Sequence, residues 1–450
     1  MAYSRWATVE ELKSKLTPVS YDSEIKKSGI PMMYDDNNLY IKDDDAHTLV
    51  IGSTGSGKTQ SIILPQLRLA IRSQESFIVH DAKKEIYDIV SGELKKQGYE
   101  TIVINLDNPT VGNTFNPLSL PFELYKNGQK DCALELLENI GYYFCTEEKF
   151  NGTNMDQFWT NSAISLFIGL SLYLFDNAVE DEVNINSLLN LVSNFDELSE
   201  QIKKYDKNSA IYINLSNIIL APNETKGGIV SVFVQNIRLF VAREALSKML
   251  ASTDFDIKNI QKNKTALFII SNNKAFSRRL IPLIIEECYY AATLLNNKER
   301  RLNIIIDEFE NLIPIREFTN MLTLARSYNI KFSVFIRSLL ELRTNYGTSE
   351  TEILKIVFGN IIYLLANDIE TLDVISKLCG NKQTEKKVES LVSIEDLKLL
   401  KTFEAIILIP RINPIKTKLL PDYQINWNFS EEKVPLKEIT NKEIKTFDIK

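Results

Sequence analysis

The sequence predicts an α/β fold, a mostly parallel sheet with helices on both faces, interrupted by an inserted all-α domain. Three observations carry this expectation. Short runs of branched apolar residues recur along the chain, with helical stretches between several of them, the alternation that builds parallel sheets. One such run passes straight into a glycine-rich loop and a helix that begins near residue 60. A long interval, about 121–251, is helical in periodicity with few strand-like runs, which marks a separate helical body.

In chain order the strand-like runs are 47–51, 76–79, 101–104, 266–270, 302–306, 332–336, 361–365 and 405–409. Each is too short for a helix and apolar throughout most of its length, as parallel strands buried on both faces are. Helical stretches such as 62–71 and 280–295 lie between them. The expected organisation is therefore 1–120 as the first part of the α/β domain, 121–251 as the insertion, 252–423 as the second part, and 424–450 as a tail. That tail is rich in Lys and Glu and is expected to pack loosely. At 450 residues the chain exceeds the size at which one core stops growing.

Composition bounds the function. With 44% hydrophobic and 25% charged residues the chain is globular. Its net charge of −7, from 52 basic and 59 acidic side chains, argues against a broad cationic face for nucleic acid but leaves room for a local basic channel. Arg238, Arg243, Arg278 and Arg279 are candidate DNA contacts, each with a solvated helix charge as the alternative. Cys132, Cys145, Cys288 and Cys379 form no CxxC pair, and His47 and His80 are the two histidines. No zinc-type ligand set follows, and the thiols read as buried small side chains in a reducing compartment. The start, MAYSRWATVEELKSK, has no apolar core of the signal-peptide kind. The longest apolar run, 163–175, is shorter than the about 20 residues a membrane helix needs and reads as a buried helix.

The chemistry concentrates in two places. Residues 52–59, Gly52-Ser53-Thr54-Gly55-Ser56-Gly57-Lys58-Thr59, fit the phosphate-binding loop pattern in its strand–loop–helix setting. Glycines let backbone N–H groups turn inward toward anionic oxygen, and the helix N-terminus adds a positive end. Lys58 is expected at the β- and γ-phosphates of ATP, and the Thr59 hydroxyl on Mg2+. The second place is the run LNIIIDEFENL, whose apolar strand ends in Asp307 and Glu308 at the sheet edge where ligands bind. Asp307 is expected to hold the Mg2+ shell and Glu308 to polarise the attacking water. A helix cap is the plainer reading of such acids.

With these motifs in hand, the chain resembles the coupling ATPases of type IV secretion and conjugation, the TraG-like group, relatives of FtsK-type DNA pumps. The likeness runs through SRWATVEEL, GSTGSGKT, HDAKKEIYD (where the family has a D-P-K-G-E-like segment), FNPL, the helix with Trp159, IIIDEFENL, LARSYNIKFSVFIRSLLELRTNYG and NDIETLDVISKLCG. The resemblance implies a RecA-like motor domain with an all-α insertion, assembled as a homo-hexamer with ATP at subunit interfaces. It implies single- or double-stranded DNA, a relaxase or effector protein, and type IV secretion channel components as partners, on the cytoplasmic side of a bacterial membrane. Arg326 matches an arginine offered in trans to a neighbour's γ-phosphate, with a solvated helix arginine as the alternative. Two departures stand out. Family members carry an N-terminal membrane anchor, whereas here the segment that follows it begins at residue 4, so the membrane is reached through a missing anchor or a partner. Arg337 stands where the family has a glutamine near the γ-phosphate. It is expected either to stabilise charge in cis or to disturb water positioning, and Arg337→Gln to preserve or raise turnover.

Two other functions fit the same residues. One is a nucleotide-switched receptor that docks protein substrates without pumping, using polar stretches of the insertion such as 146–156 and 204–209. The other is a general DNA translocase with no secretion role.

Overall fold

The computed structural model describes the chain apart from residues 1–2, 21–24, 36–37, 147–153, 296–297, 385–386, 441–442 and 450. The chain divides into two compact units. The first comprises Met1–Ile102, Ile257–Ser271 and Cys288–Pro435; the second comprises Val103–Asp256, Asn272–Glu287 and Leu436–Lys450.

The first unit is built on a nine-stranded sheet. Three short strands precede it in the chain, β1 (Thr17–Ser20), β2 (Ile30–Tyr34) and β3 (Asn38–Lys42), and form a small antiparallel sheet of their own in the order β1-β3-β2. The large sheet uses β4 (Thr48–Gly52), β5 (Ser76–Asp81), β6 (Glu100–Asn105), β7 (Thr265–Ile270), β8 (Leu302–Ile306), β9 (Ile330–Ile336) and β10 (Asn360–Leu365). Past the hairpin β11 (Asn381–Gln383) and β12 (Val388–Ser390), it adds β13 (Glu404–Leu408) and β14 (Ile415–Lys418). Its order is β14-β13-β10-β4-β9-β8-β5-β7-β6.

β4 sits between β10 and β9, parallel to both, with Ile51 opposite Tyr363 on one side and Ile336 on the other. Every residue of β4, β7, β8 and β9 is buried, as continuous Ile, Val and Leu runs require when both sheet faces are covered. One expectation needs correcting. The run at 405–409 pairs antiparallel with β10, and β13 and β14 form an antiparallel hairpin. A fully apolar strand carries no mark of its direction, because direction depends on the connection rather than on the faces. β14, IKTK, ends the sheet with exposed lysine, a common way to blunt an edge.

The tail differs from its expected looseness. Trp427 is 5% exposed and packs with Val19, Leu39, Ile41, Leu69 and Ile425. Arg68 and Arg72 of the helix Leu64–Arg72 lie over the Trp427 ring at 5.9 and 5.3 Å. A Lys- and Glu-rich composition hid these aromatic anchors, whose cation–π contacts hold the segment down.

The second unit is mainly helical. Its long helix, Asn154–Asn177, packs with Lys130–Cys145, Ala210–Ile219 and Asn223–Val241. Phe144 meets Phe167 at 5.7 Å and Phe240 at 4.2 Å between ring centroids. The stretch Gln157–Asn177 is long and apolar enough to cross a membrane, longer than the run read from the sequence, and 61% of its apolar window is buried inside the unit. Residues 147–153 of the polar stretch 146–156 lie outside the described residues.

Candidate functional site

The loop 52–59 leaves the C-terminal end of β4 and enters a π-helical turn, Thr59–Ile63, followed by the helix Leu64–Arg72. Gly55 and Gly57 have φ of +80° and +96°, the left-handed region that glycine enters without strain. The Ser53 N–H donates to the Leu365 carbonyl at 2.8 Å, tying the loop to β10. A Cβ on Gly52 would meet Ser56 Oγ at 2.5 Å and Lys58 Cγ at 3.0 Å, so both side chains would have to shift to admit one. Thr54 and Gly55 are exposed at the tip, and Ser56 is 5% exposed. Ser56 Oγ has no hydrogen-bond partner among the described residues.

Lys58 folds back over the loop, and its ammonium donates to the carbonyls of Gly52 and Ser53. Burial pulls its pKa down, with Asp307, Glu310 and Glu308 opposing and Arg337 reinforcing that shift. Four charged side chains from the ends of β8 and β9 thus act on the loop lysine, and all belong to the first unit.

β8 delivers the acids. Asp307 accepts the Glu308 N–H at 2.9 Å, and the chain turns sharply there, since Glu308 has φ of +50°. A non-glycine residue in that region is costly and tends to persist at functional sites. Burial pushes the Asp307 carboxyl upward, against the pull of Lys58 and His80. Asn311 donates to Glu308 Oε2 at 3.1 Å and so orients that carboxylate. His80, at the end of β5, lies with Nδ1 2.7 Å from the Asp307 carbonyl oxygen and is fully buried.

Arg337 leaves the end of β9 at the same sheet edge, but its charge is compensated. Its Nε donates to Glu310 Oε1 at 2.6 Å, its Nη2 to Asn311 Oδ1 at 2.7 Å, and Glu341 lies 3.2 Å away. Glu310 and Asn311 went unremarked in the sequence, although the run DEFEN holds both. The spacing of a second acid three residues after Asp307 was the available signal.

Arg326 is elsewhere. It precedes β9 where Arg337 follows it, and a strand of 7 residues separates the two ends, about 23 Å at the usual rise. Its side chain is 77% exposed, with Asp45 at 3.9 Å. The structure therefore brings together 52–59, Asp307, Glu308 and Arg337, and leaves Arg326 at the opposite edge of the sheet.

Of the candidate DNA contacts, Arg279 needs correcting. It is 7% exposed, and its guanidinium donates to the Phe144 carbonyl at 3.1 Å and to Asn236 at 3.4 Å. Alternating helix positions in the sequence do not tell an inward arginine from an outward one when the inward one finds backbone acceptors. Arg238 and Arg243 are exposed.

A model of the family described as type IV secretory system conjugative DNA transfer matches residues 5–405. The chain belongs to that family. It is similar to the DNA import protein CedB of Sulfolobus acidocaldarius, 29% identical over 270 residues, which are 58% of this chain and 37% of CedB. The chain thus matches well under half of that relative's length. Family membership also agrees with the fold of solved structures. The plasmid coupling protein TrwB in complex with the non-hydrolysable ATP analogue ADPNP is 16% identical with a TM-score of 0.70, covering 98% of this chain and 97% of that one. TrwB in complex with ADP and Mg2+ gives 16% and 0.71, covering 96% of each. VirB4 of Thermoanaerobacter pseudethanolicus gives 12% and 0.53, covering 88% of this chain and 97% of that one. At such identities the likeness is one of fold, and the shared fold is a mostly parallel α/β sheet as the sequence pattern predicts, of the RecA-like kind that the family resemblance implies.

Proposed function

We propose that this member of the conjugative DNA transfer family binds ATP with Mg2+ at 52–59 and hydrolyses it to move DNA, or a DNA–protein complex, into a secretion channel. The observation that carries this reading is the meeting of the loop lysine with Asp307 and Glu308 at one sheet edge. The residues present fit such a ligand: a glycine cradle that a Cβ would fill and a buried Ser56 hydroxyl without a partner among the described residues, and the buried Asp307 carboxylate in the field of Lys58. TrwB, of the same fold, has been solved with ADPNP and with ADP and Mg2+.

In this reading the backbone N–H groups of 52–59 bind phosphate oxygens and Lys58 neutralises the terminal phosphates. Thr59 and Asp307 would hold Mg2+, which when bound supplies charge neutralisation to the leaving phosphate. Glu308, oriented by Asn311, accepts a proton from the attacking water. Arg337 contributes little free charge because Glu310 and Glu341 pair with it.

Arg326 is too far from its own loop to act there, so it serves a neighbouring copy, as head-to-tail packing in a hexameric ring allows. The substrates would be single- or double-stranded DNA and a relaxase or effector protein, handled on the cytoplasmic side of the membrane beside the channel components.

Mixing variants tests the arrangement between copies. Glu308→Gln and Arg326→Ala should each lose hydrolysis, the arginine change by about 10³-fold or more. An equimolar mixture should regain about a quarter of native turnover, because one random interface in four pairs an intact Glu308 with an intact Arg326. A mixture as inactive as its components would remove Arg326 from the neighbour's site.

A further inference from the structure

Beside the phosphate loop lie two aromatic rings that the chemistry above leaves unused. Phe403 precedes β13, whose antiparallel direction brings its first residue to the same sheet edge as the loop. The Phe403 ring covers the α-carbon of Gly57: a Cβ on Gly57 would lie 2.8 Å from two of its ring carbons. The turn is held at both ends. Lys401 accepts the Glu404 N–H at 2.8 Å, and Phe403 accepts the Leu419 N–H at 2.7 Å. Within it Phe403 has φ of +69°, a conformation that is unfavourable for a bulky side chain and is retained where the surroundings fix it.

The second ring is Tyr423, 67% exposed, whose centroid is 6.5 Å from that of Phe403 at 67° between planes. Its position is fixed from the helix that the loop opens. Asp422, 5% exposed, takes a two-pronged pair from Arg68, Nε at 2.7 Å and Nη2 at 2.9 Å. A bidentate pair of this kind fixes orientation as well as distance. One ring is therefore set by contact with Gly57 and the other by the loop's own helix, and Tyr423 keeps a large apolar face in water.

We infer that Phe403 and Tyr423 form the seat for the purine base of the bound nucleotide, with the base stacked face-on against one ring and meeting the other at its edge, since their planes are 67° apart, while 52–59 takes the phosphates. This deepens the nucleotide-binding reading of 52–59 and rests on it. Stacking uses the π-face that every base has, so the seat fixes base position without strong choice between adenine and guanine.

The test compares two probes on the full chain with Mg2+ present: ATP, and inorganic tripolyphosphate, which has no base. For Phe403→Ala the ATP dissociation constant should rise about five- to 150-fold, the range that losing one aromatic stacking partner brings, with tripolyphosphate unchanged. Phe403→Leu, which keeps an apolar cover on Gly57, should show the same split, and Phe403→Tyr should bind ATP as the native chain does. Tyr423→Ala should weaken ATP alone. Equal losses for ATP and tripolyphosphate in both Phe403→Ala and Phe403→Leu would overturn the proposal and leave Phe403 as a brace for the loop. Unchanged ATP affinity in every variant would overturn it too. A native chain that binds neither probe would instead refute the nucleotide reading of 52–59, and the base seat with it.

Discussion

Replacing Arg337 by glutamine restores the residue type that the family resemblance leads one to expect, yet the structure points to a loss of stability. The Glu310 side chain is 1% exposed and has Arg337 Nε 2.6 Å from one oxygen. Its other oxygen, Oε2, has no hydrogen-bond partner among the described residues. Burial already pushes the Glu310 carboxyl above its ordinary value of 4.5, and Arg337 pulls it back. Removing one partner of a buried pair costs roughly 3–5 kcal/mol. Arg337 is 37% exposed, so water replaces part of its field, and about 1–3 kcal/mol is the expected loss.

The sign with pH follows from the carboxyl. Without Arg337 its value in the folded chain rises further, and a raised acid loses stability as pH climbs through that value. The gap between Arg337→Gln and the native chain should be small near pH 4.5 and widen toward neutrality. Urea denaturation of the native chain, Arg337→Gln, Glu310→Gln and the double variant measures the coupling. The double variant should recover at least about 1 kcal/mol relative to the sum of the singles. Strict additivity, or an Arg337→Gln chain as stable as native at pH 7, would refute the pairing as a stabilising contact. Turnover per folded chain should be preserved or raised, since the exchange removes no group that reaches the phosphates.

Three further outcomes are expected. Lys331, 2% exposed, donates to the Asp44 carbonyl at 2.9 Å, and burial lowers its pKa from 10.5 to about 8; a lowered base gains stability as pH rises from 8 to 10.5. In Lys331→Met, denaturation midpoints over that window should lose this rise, and an unaltered pH profile would show that Lys331 does not titrate there. Asp307→Asn should raise the melting temperature at pH 7, because burial raises the Asp307 carboxyl and its ionisation opposes folding; the gain should fade as pH falls, and a lower melting temperature would show that the pull of Lys58 outweighs burial. Arg279→Ala should destabilise the chain by about 2–3 kcal/mol, leaving the Phe144 carbonyl without its charged donor. The salt slope of DNA binding should not change, and a lowered slope would return Arg279 to the DNA surface.

The fold was legible wherever burial wrote it in consecutive residues. The eight apolar runs became β4 to β10 and β13 because strands covered on both faces need Ile, Val and Phe at every position. β1 to β3 were missed because TPVS, IPMMY and NLYIK are short and half polar or proline-bearing. The Trp427 anchor was missed because its partners, Arg68 and Arg72, lie in a helix far back in the chain. At the site, 52–59 and Asp307–Glu308 are local patterns and could be read directly. The Arg337–Glu310 pair and the Phe403 cover on Gly57 join distant segments through the sheet edge, and no local pattern in one sequence encodes such a meeting.

The most direct measurement is steady-state hydrolysis of ATP with Mg2+ at high protein concentration, with and without single- and double-stranded DNA, beside Lys58→Ala and Glu308→Gln. A DNA-driven motor should turn over faster with DNA and lose turnover in both variants. ATP binding with no turnover under any DNA condition would contradict the motor reading of the isolated chain and favour a nucleotide-switched receptor, or a ring that needs a membrane anchor or partner components to assemble.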